Sequence, residues 1–174
     1  DQSLISTMVT SLNRSGNWDS FSRSVIPRLI KIHPELGLAA LRGQKSWNQM
    51  LTLSVVSLLR SDRFLIFSEY LAQIIRKIDT IPIEVWNELE RLLKTGEKKS
   101  LNFIEKAVRG RNDWTFGFEK RIFENLDSST WDLNISARRI LIDRPQWTSD
   151  ISSKVVERIS GKVHSPPWKE LLDV

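Results

Sequence analysis

The sequence predicts an all-α chain built from repeated helical hairpins, and three observations carry that reading. First, Asp113 to Leu126, DWTFGFEKRIFENL, sets Trp114, Phe118, Ile122 and Leu126 four residues apart, so that they line one side of a helix. Second, the row returns thirty-three residues on as Trp147, Ile151, Val155 and Ile159, with Thr115/Thr148 and Glu124/Glu157 at matching places. Third, it recurs upstream. Thirty-three residues before Trp114 stand Ile81, Val85, Leu89 and Leu93; thirty-four before those come Trp47, Leu51, Val55 and Leu59. A weaker copy, Trp18, Ser22, Ile26 and Ile30, precedes Trp47 by twenty-nine. A period near thirty-three means that each unit buries its apolar face only against its neighbours.

Composition narrows the function classes. Hydrophobic residues make up 40 % and charged residues 27 %, a balance that folds rather than remaining disordered. The chain has no Cys, which removes disulfides and thiolate chemistry, and His33 and His164 stand too far apart for metal-ligand spacing. No metal and no cofactor is therefore expected. The longest strongly apolar stretch, Leu51 to Leu59, is interrupted by Thr and Ser and falls short of the roughly twenty residues that a membrane span needs. No signal peptide is visible. An intracellular setting follows, cytoplasmic or nuclear. The start at Asp1 without Met, and a last unit that stops at Val174 after a short second helix, read as a segment of a larger protein.

Taken in order, Leu4, Ile5, Met8, Val9 and Leu12 form a helical stripe that reads as the second helix of a truncated unit. A helix from Asn17 to about His33 contains Pro27, which should kink it. Pro34 opens a short helix, Glu35 to Leu41, that stops at Gly43. Ser46 with Gln49 reads as a capping box for a helix through Leu59, whose apolar face is broad enough to be mostly buried. Phe64 to Ile78 is its partner. Pro82 and Glu84 start a helix that Thr95 and Gly96 end, and Leu101, Ile104 and Val108 mark the helix paired with it, which ends at Gly110. Ser129 to Ile142 completes the fourth hairpin, with Ser129 and Asp132 as polar residues at its start, before Pro145 stops it. Ser149 to Ser160 and a short helix from Trp168 to Leu172 make the fifth. The units span about 14–43, 44–79, 80–111, 112–145 and 146–174.

Hairpins of this length, carrying the Trp/Ile, +4, +8, +12 row, resemble HEAT and armadillo repeats. The resemblance covers nearly the whole chain and implies a right-handed α-solenoid of about five HEAT-like hairpins. It implies an architecture rather than an activity.

Charge supplies the remaining asymmetry. The first helices of the hairpins carry ten Lys/Arg against nine Asp/Glu, whereas the second helices carry twelve against seven. In solenoids of this kind second helices usually line the concave surface, so Lys106, Arg109, Arg111, Arg138, Arg139 and Arg144 are candidates for a basic inner face. Arg109-Gly110-Arg111 reads more simply as a turn than as an RNA motif. Four of the seven Trp residues hold the repeat position and are explained by packing, with Trp114 and Trp147 expected to be largely buried between hairpins; Trp131 does not, and it is the candidate for an exposed aromatic contact. No glycine-rich phosphate loop, metal spacing or nucleophile-base arrangement is present, and no small-molecule substrate is evident. The expected function is a non-enzymatic scaffold that binds another protein, of acidic surface, or another part of its parent chain. The alternative is binding of a nucleic-acid backbone, extending to the HEAT-like DNA glycosylases. Against the latter, Trp131 and Asp132 point about 100° apart on one helix and cannot face one lesion together.

Overall fold

The structure, a computed structural model, describes residues 20–42 and 44–160, with residues 3, 7, 10 and 11 before them. The expected contributions of Leu4, Ile5, Met8, Val9 and Leu12, of Trp18 and Gly43, and of the closing helix at Trp168 to Leu172 lie outside the described residues. So do the side chains of Ser22 and Ile159.

Among the described residues the fold is all-helical: α1 (Ser20–Ile32), α2 (Pro34–Leu41), α3 (Gln49–Leu59), α4 (Phe64–Lys77), α5 (Ile83–Thr95), α6 (Lys98–Val108), α7 (Phe116–Leu126), α8 (Trp131–Ile142) and α9 (Ser149–Ser160), with no strand. No described helix is long and apolar enough to cross a membrane. The odd-numbered helices α1, α3, α5 and α7 pack each against the next, and so do α2, α4, α6 and α8, while α1·α2, α5·α6 and α7·α8 close hairpins between these two rows. The +4, +8 and +12 residues of the repeated row account for this order. Val85, Leu89, Leu93, Phe118, Ile122, Leu126, Leu51, Val55 and Leu59 are all buried, as are Ile26 and Ile30 of the weak copy and Ile151 and Val155 of the last. Each fully buried aliphatic or aromatic side chain of this kind contributes about 1.5–3 kcal/mol.

Local chemistry sets the helix ends. Asn48, Thr115 and Thr148 each follow the Trp of their row, and each accepts a hydrogen bond from the backbone N–H three residues on: Leu51 at 2.9 Å, Phe118 at 3.2 Å and Ile151 at 3.3 Å. The start of α3 therefore differs from expectation. Asn48 caps it in place of Ser46, because the helix begins at Gln49 and only Asn48 stands one residue before it. Gly96 and Gly110 end α5 and follow α6 at φ +67° and +73°, a left-handed backbone that a side chain would strain. Gly37 serves packing instead: a Cβ there would collide with the Ile30 backbone, so its absence lets α2 lie close on α1.

The Trp position of the row is less buried than the rest of it. Trp114 is half-buried, T-shaped to Phe118 at 5.6 Å and covered by the Arg144 guanidinium 4.3 Å from its ring centre. Trp147, expected to be buried in the same way, is 38 % exposed. Its indole N–H donates to the Leu141 carbonyl at 3.1 Å, and no described residue covers its ring as Arg144 covers that of Trp114. Trp86, outside the row, is fully buried against Phe118.

Two buried charged groups tie successive units together. Arg111 donates to both carboxylate oxygens of Asp113, at 2.7 and 2.6 Å, and reaches back to the preceding hairpin, where the carbonyls of Ile78 (2.6 Å) and Asp79 (3.1 Å) accept from it past the end of α4. Asp113 in turn accepts from the Ile81 N–H at 3.3 Å. Burial raises the Asp113 carboxyl pKa, and the Arg111 hydrogen bonds and charge more than reverse this, leaving it below its ordinary value. The other is Glu88 of α5, whose side chain is buried between two exposed arginines: Arg60 Nε of α3 donates at 2.8 Å and Arg91 Nε at 2.6 Å. Burial again raises its pKa and the two guanidinium groups overcome that, so it lies below the usual value of 4.5.

Glu88→Gln is expected to lower unfolding free energy by about 1–3 kcal/mol at pH 7, the range for hydrogen bonds to a charged group. Its folded-state pKa is depressed, so the wild-type advantage is complete above the ordinary value of 4.5 and is lost as pH falls through the lowered folded-state value. Urea titrations at pH 7 and pH 3 should show the gap narrowing; an equal gap at both would remove the carboxylate charge from the account. Arg111→Met is expected to cost about 2–4 kcal/mol, since it leaves a partly buried carboxylate and several carbonyls without their donor. Arg109→Ala, which breaks an exposed pair with Asp143, should cost less than about 1 kcal/mol.

Candidate functional site

The six basic residues singled out by charge do not gather into one open basic face. Arg111, Arg138 and Arg144 are buried, at 8 %, 4 % and 9 % exposure. Arg111 and Arg144 stand one period apart and do related work. Arg144 reaches Glu119 at 3.4 Å and the Asn112 carbonyl at 3.5 Å while it covers Trp114. Both precede the first helix of a unit, and from there the side chain swings back toward the unit before it. Arg138 turns inward with Ala137 and Leu141, whereas Arg139, about 100° round the helix, turns out.

The exposed three are each matched by a carboxylate about one period away. Lys106 of α6 pairs with Glu69 of α4, Arg139 of α8 lies 3.7 Å from Glu105 of α6, and Arg109 at the end of α6 donates to Asp143 at the end of α8 at 2.8 Å. Pairs between neighbouring second helices thus neutralise the middle of that row. The cations of the second helices without an ion-pair partner among the described residues are Arg42, Arg63, Arg76, Lys77, Lys98 and Lys99, and they stand at helix starts and ends. Sequence counting weighed all twelve alike, because a count holds no information about which acid faces which base.

Trp131 stands where it was expected, on the surface. It is the first residue of α8 and is 67 % exposed. Leu65, two periods before it at the start of α4, and its neighbour Ile66 are exposed as well. A second pair went unnoticed in the sequence: Ile83 and Phe116, thirty-three residues apart, are the first residues of α5 and α7, and both are exposed, Phe116 to 80 %. The signal was present, since each stands two places after a row residue, but alternate positions at a helix start do not declare whether they face in or out.

A cleft of about 510 Å³ lies between α1 and α3, walled by Pro27, Ile30, Leu53 and Leu58 and also lined by Lys31 and Arg63. It belongs to the helix whose broad apolar face was expected to be mostly buried, yet Met50 and Leu53 of α3 are more than half exposed. No group of three or more His, Asp or Glu side chains among the described residues is placed to hold a metal ion. Compared with known proteins, the chain matches no family model, no curated protein and no solved structure.

Proposed function

We propose that the chain is a non-enzymatic interaction module, a right-handed solenoid segment of HEAT-like hairpins, that binds another protein inside the cell through its helical-repeat surface. The observation that carries this reading is Trp131. A large ring 67 % exposed at the first residue of α8 offers contact area that no packing role uses. Leu65 and Ile66 at the start of α4 add apolar area at the same place in an earlier unit. Two rows of helices, each packed against its period neighbours, suit such a task, because stacked units hold their exposed side chains at a regular spacing on a stiff support. The alternative, a basic face for a nucleic-acid backbone, draws less support, since phosphate binding needs several free cations in convergence and the densest basic stretch is buried or ion-paired.

Trp131→Ala should leave the melting temperature within a degree or two of wild type, because the ring is exposed, and should weaken capture of a protein partner by cross-linking and affinity purification at least tenfold. Binding of that partner should fall only weakly as salt rises. A steep linear fall of log affinity with log salt, unchanged by Trp131→Ala, would reverse the assignment in favour of a nucleic-acid backbone.

A further inference from the structure

The cleft between α1 and α3 is the counterpart of a space that the next unit fills with charge. In the row alignment Glu88 of α5 corresponds to Ser54 of α3 and Arg91 to Ser57, thirty-four residues earlier in each case. Arg60, which reaches Glu88 from the end of α3, corresponds to Lys31 at the end of α1, twenty-nine residues earlier. Between α3 and α5 the cation therefore meets a buried carboxylate and a second arginine, and the space is occupied. Between α1 and α3 the cation is retained, but two small serines stand in place of the carboxylate and its arginine.

The chemistry left in the cleft is specific. Lys31 and Arg63 line it, and neither has an ion-pair partner among the described residues. The Ser54 and Ser61 hydroxyls donate to the carbonyls of Met50 and Leu58, each at 2.8 Å. Pro27, Ile30, Leu53 and Leu58 supply apolar walls, and about 510 Å³ falls within the roughly 300–1,000 Å³ of clefts that hold ligands.

We propose that this cleft receives an acidic segment of a partner protein, with a carboxylate that pairs with Lys31 and Arg63 and an adjacent apolar side chain that packs on Leu53 and Pro27. The incoming carboxylate takes the place that Glu88 fills one unit later. Charge complementarity selects this occupant: two cations without counter-ions among the described residues, beside apolar walls, match an acid next to a Leu or Phe, and they oppose a basic or a purely apolar segment. The inference rests on the reading of the chain as an interaction module, but it concerns a different surface from Trp131.

The test uses the 174-residue chain and a fluorescein-labelled synthetic peptide in which Leu and Phe are flanked by Asp and Glu, followed by anisotropy at low ionic strength. Wild type should bind it, and Lys31→Glu and Arg63→Glu should each weaken binding at least tenfold. The double variant Ser54→Glu with Ser57→Arg rebuilds the internal ion pair, so it should fill the cleft, abolish peptide binding and hold or raise the melting temperature; this keeps the test independent of any loss of folding. Trp131→Ala should leave peptide affinity unchanged, so a failed Trp131 experiment with an intact peptide result would count against the Trp131 surface alone. Equal binding by wild type and the rebuilt double variant would overturn the proposal. So would equal binding of the peptide with Asn and Gln in place of its acids, or binding that survives loss of its Leu and Phe but is displaced by inorganic phosphate, which would mark a plain anion site. A wild-type dimer in sedimentation that the double variant dissolves would assign the cleft to a second copy of this chain instead.

Discussion

An apolar row spaced four residues apart on one helix can be covered only by a neighbour, and in this chain the neighbours are the corresponding helices one unit before and one unit after and, at α1·α2, α5·α6 and α7·α8, the hairpin partner. That constraint determines most of what is seen. It forces the odd-numbered helices into one row and the even-numbered ones into another, and it forces the units to share a spacing, because Val85, Leu89 and Leu93 must meet both Val55 and Leu59 on one side and Ile122 and Leu126 on the other. Once the spacing is common, polar groups in equivalent places stand within reach of each other across adjacent units. The Asp79 N–H donates to the Lys45 carbonyl at 2.8 Å, and the Gly110 N–H to the Asp143 carbonyl at 3.1 Å, each across about one period. Hydrogen bonds and ion pairs at that offset are consequences of the apolar register rather than its cause.

The same logic separates what the sequence disclosed from what it withheld. The +4, +8 and +12 positions of the row were legible in the sequence, since burial demands apolar side chains and a helix demands their period; Phe118, Ile122, Ile151 and Val155 are where the pattern put them, whereas the Trp position is less buried than the pattern implied. Caps were partly legible: Thr115 and Thr148 stand at equivalent places in the sequence, and both cap their helices. Charge was not. Arg138 and Arg139 are adjacent letters with opposite fates, one buried and one exposed, because direction on a helix changes by about 100° per residue. Arg111 and Arg144 were also visible as a pair at the repeat period. Both are candidates for the basic inner face, but the same spacing describes two side chains doing one structural task at successive junctions, and their burial decides for the second. A guanidinium carries five donors in a planar fork, so it can hold a carboxylate and several carbonyls at once, which suits a junction where helix ends leave carbonyls without intrahelical partners.

Where the repeat is kept, its polar groups satisfy each other and little is left for a partner. Lys106 with Glu69, Arg139 with Glu105 and Arg109 with Asp143 pair exposed cations in the middle of the second-helix row with acids of the unit before or after. Such exposed pairs add little stability, but they do settle what the surface offers, because a cation already facing a carboxylate is a weaker invitation to an outside anion.

Departures from the repeat have the opposite effect. A position that is apolar or ion-paired in one unit and small in the next leaves room that the common register cannot close, since the helices on either side remain at the spacing their buried rows require. Ser54 and Ser57 are such positions on α3, Lys31 is the cation left beside them, and Leu53 is an apolar side chain that the neighbouring helix does not cover. Local rules are broken there without a compensating gain in packing, and sites of that sort are where function is to be sought.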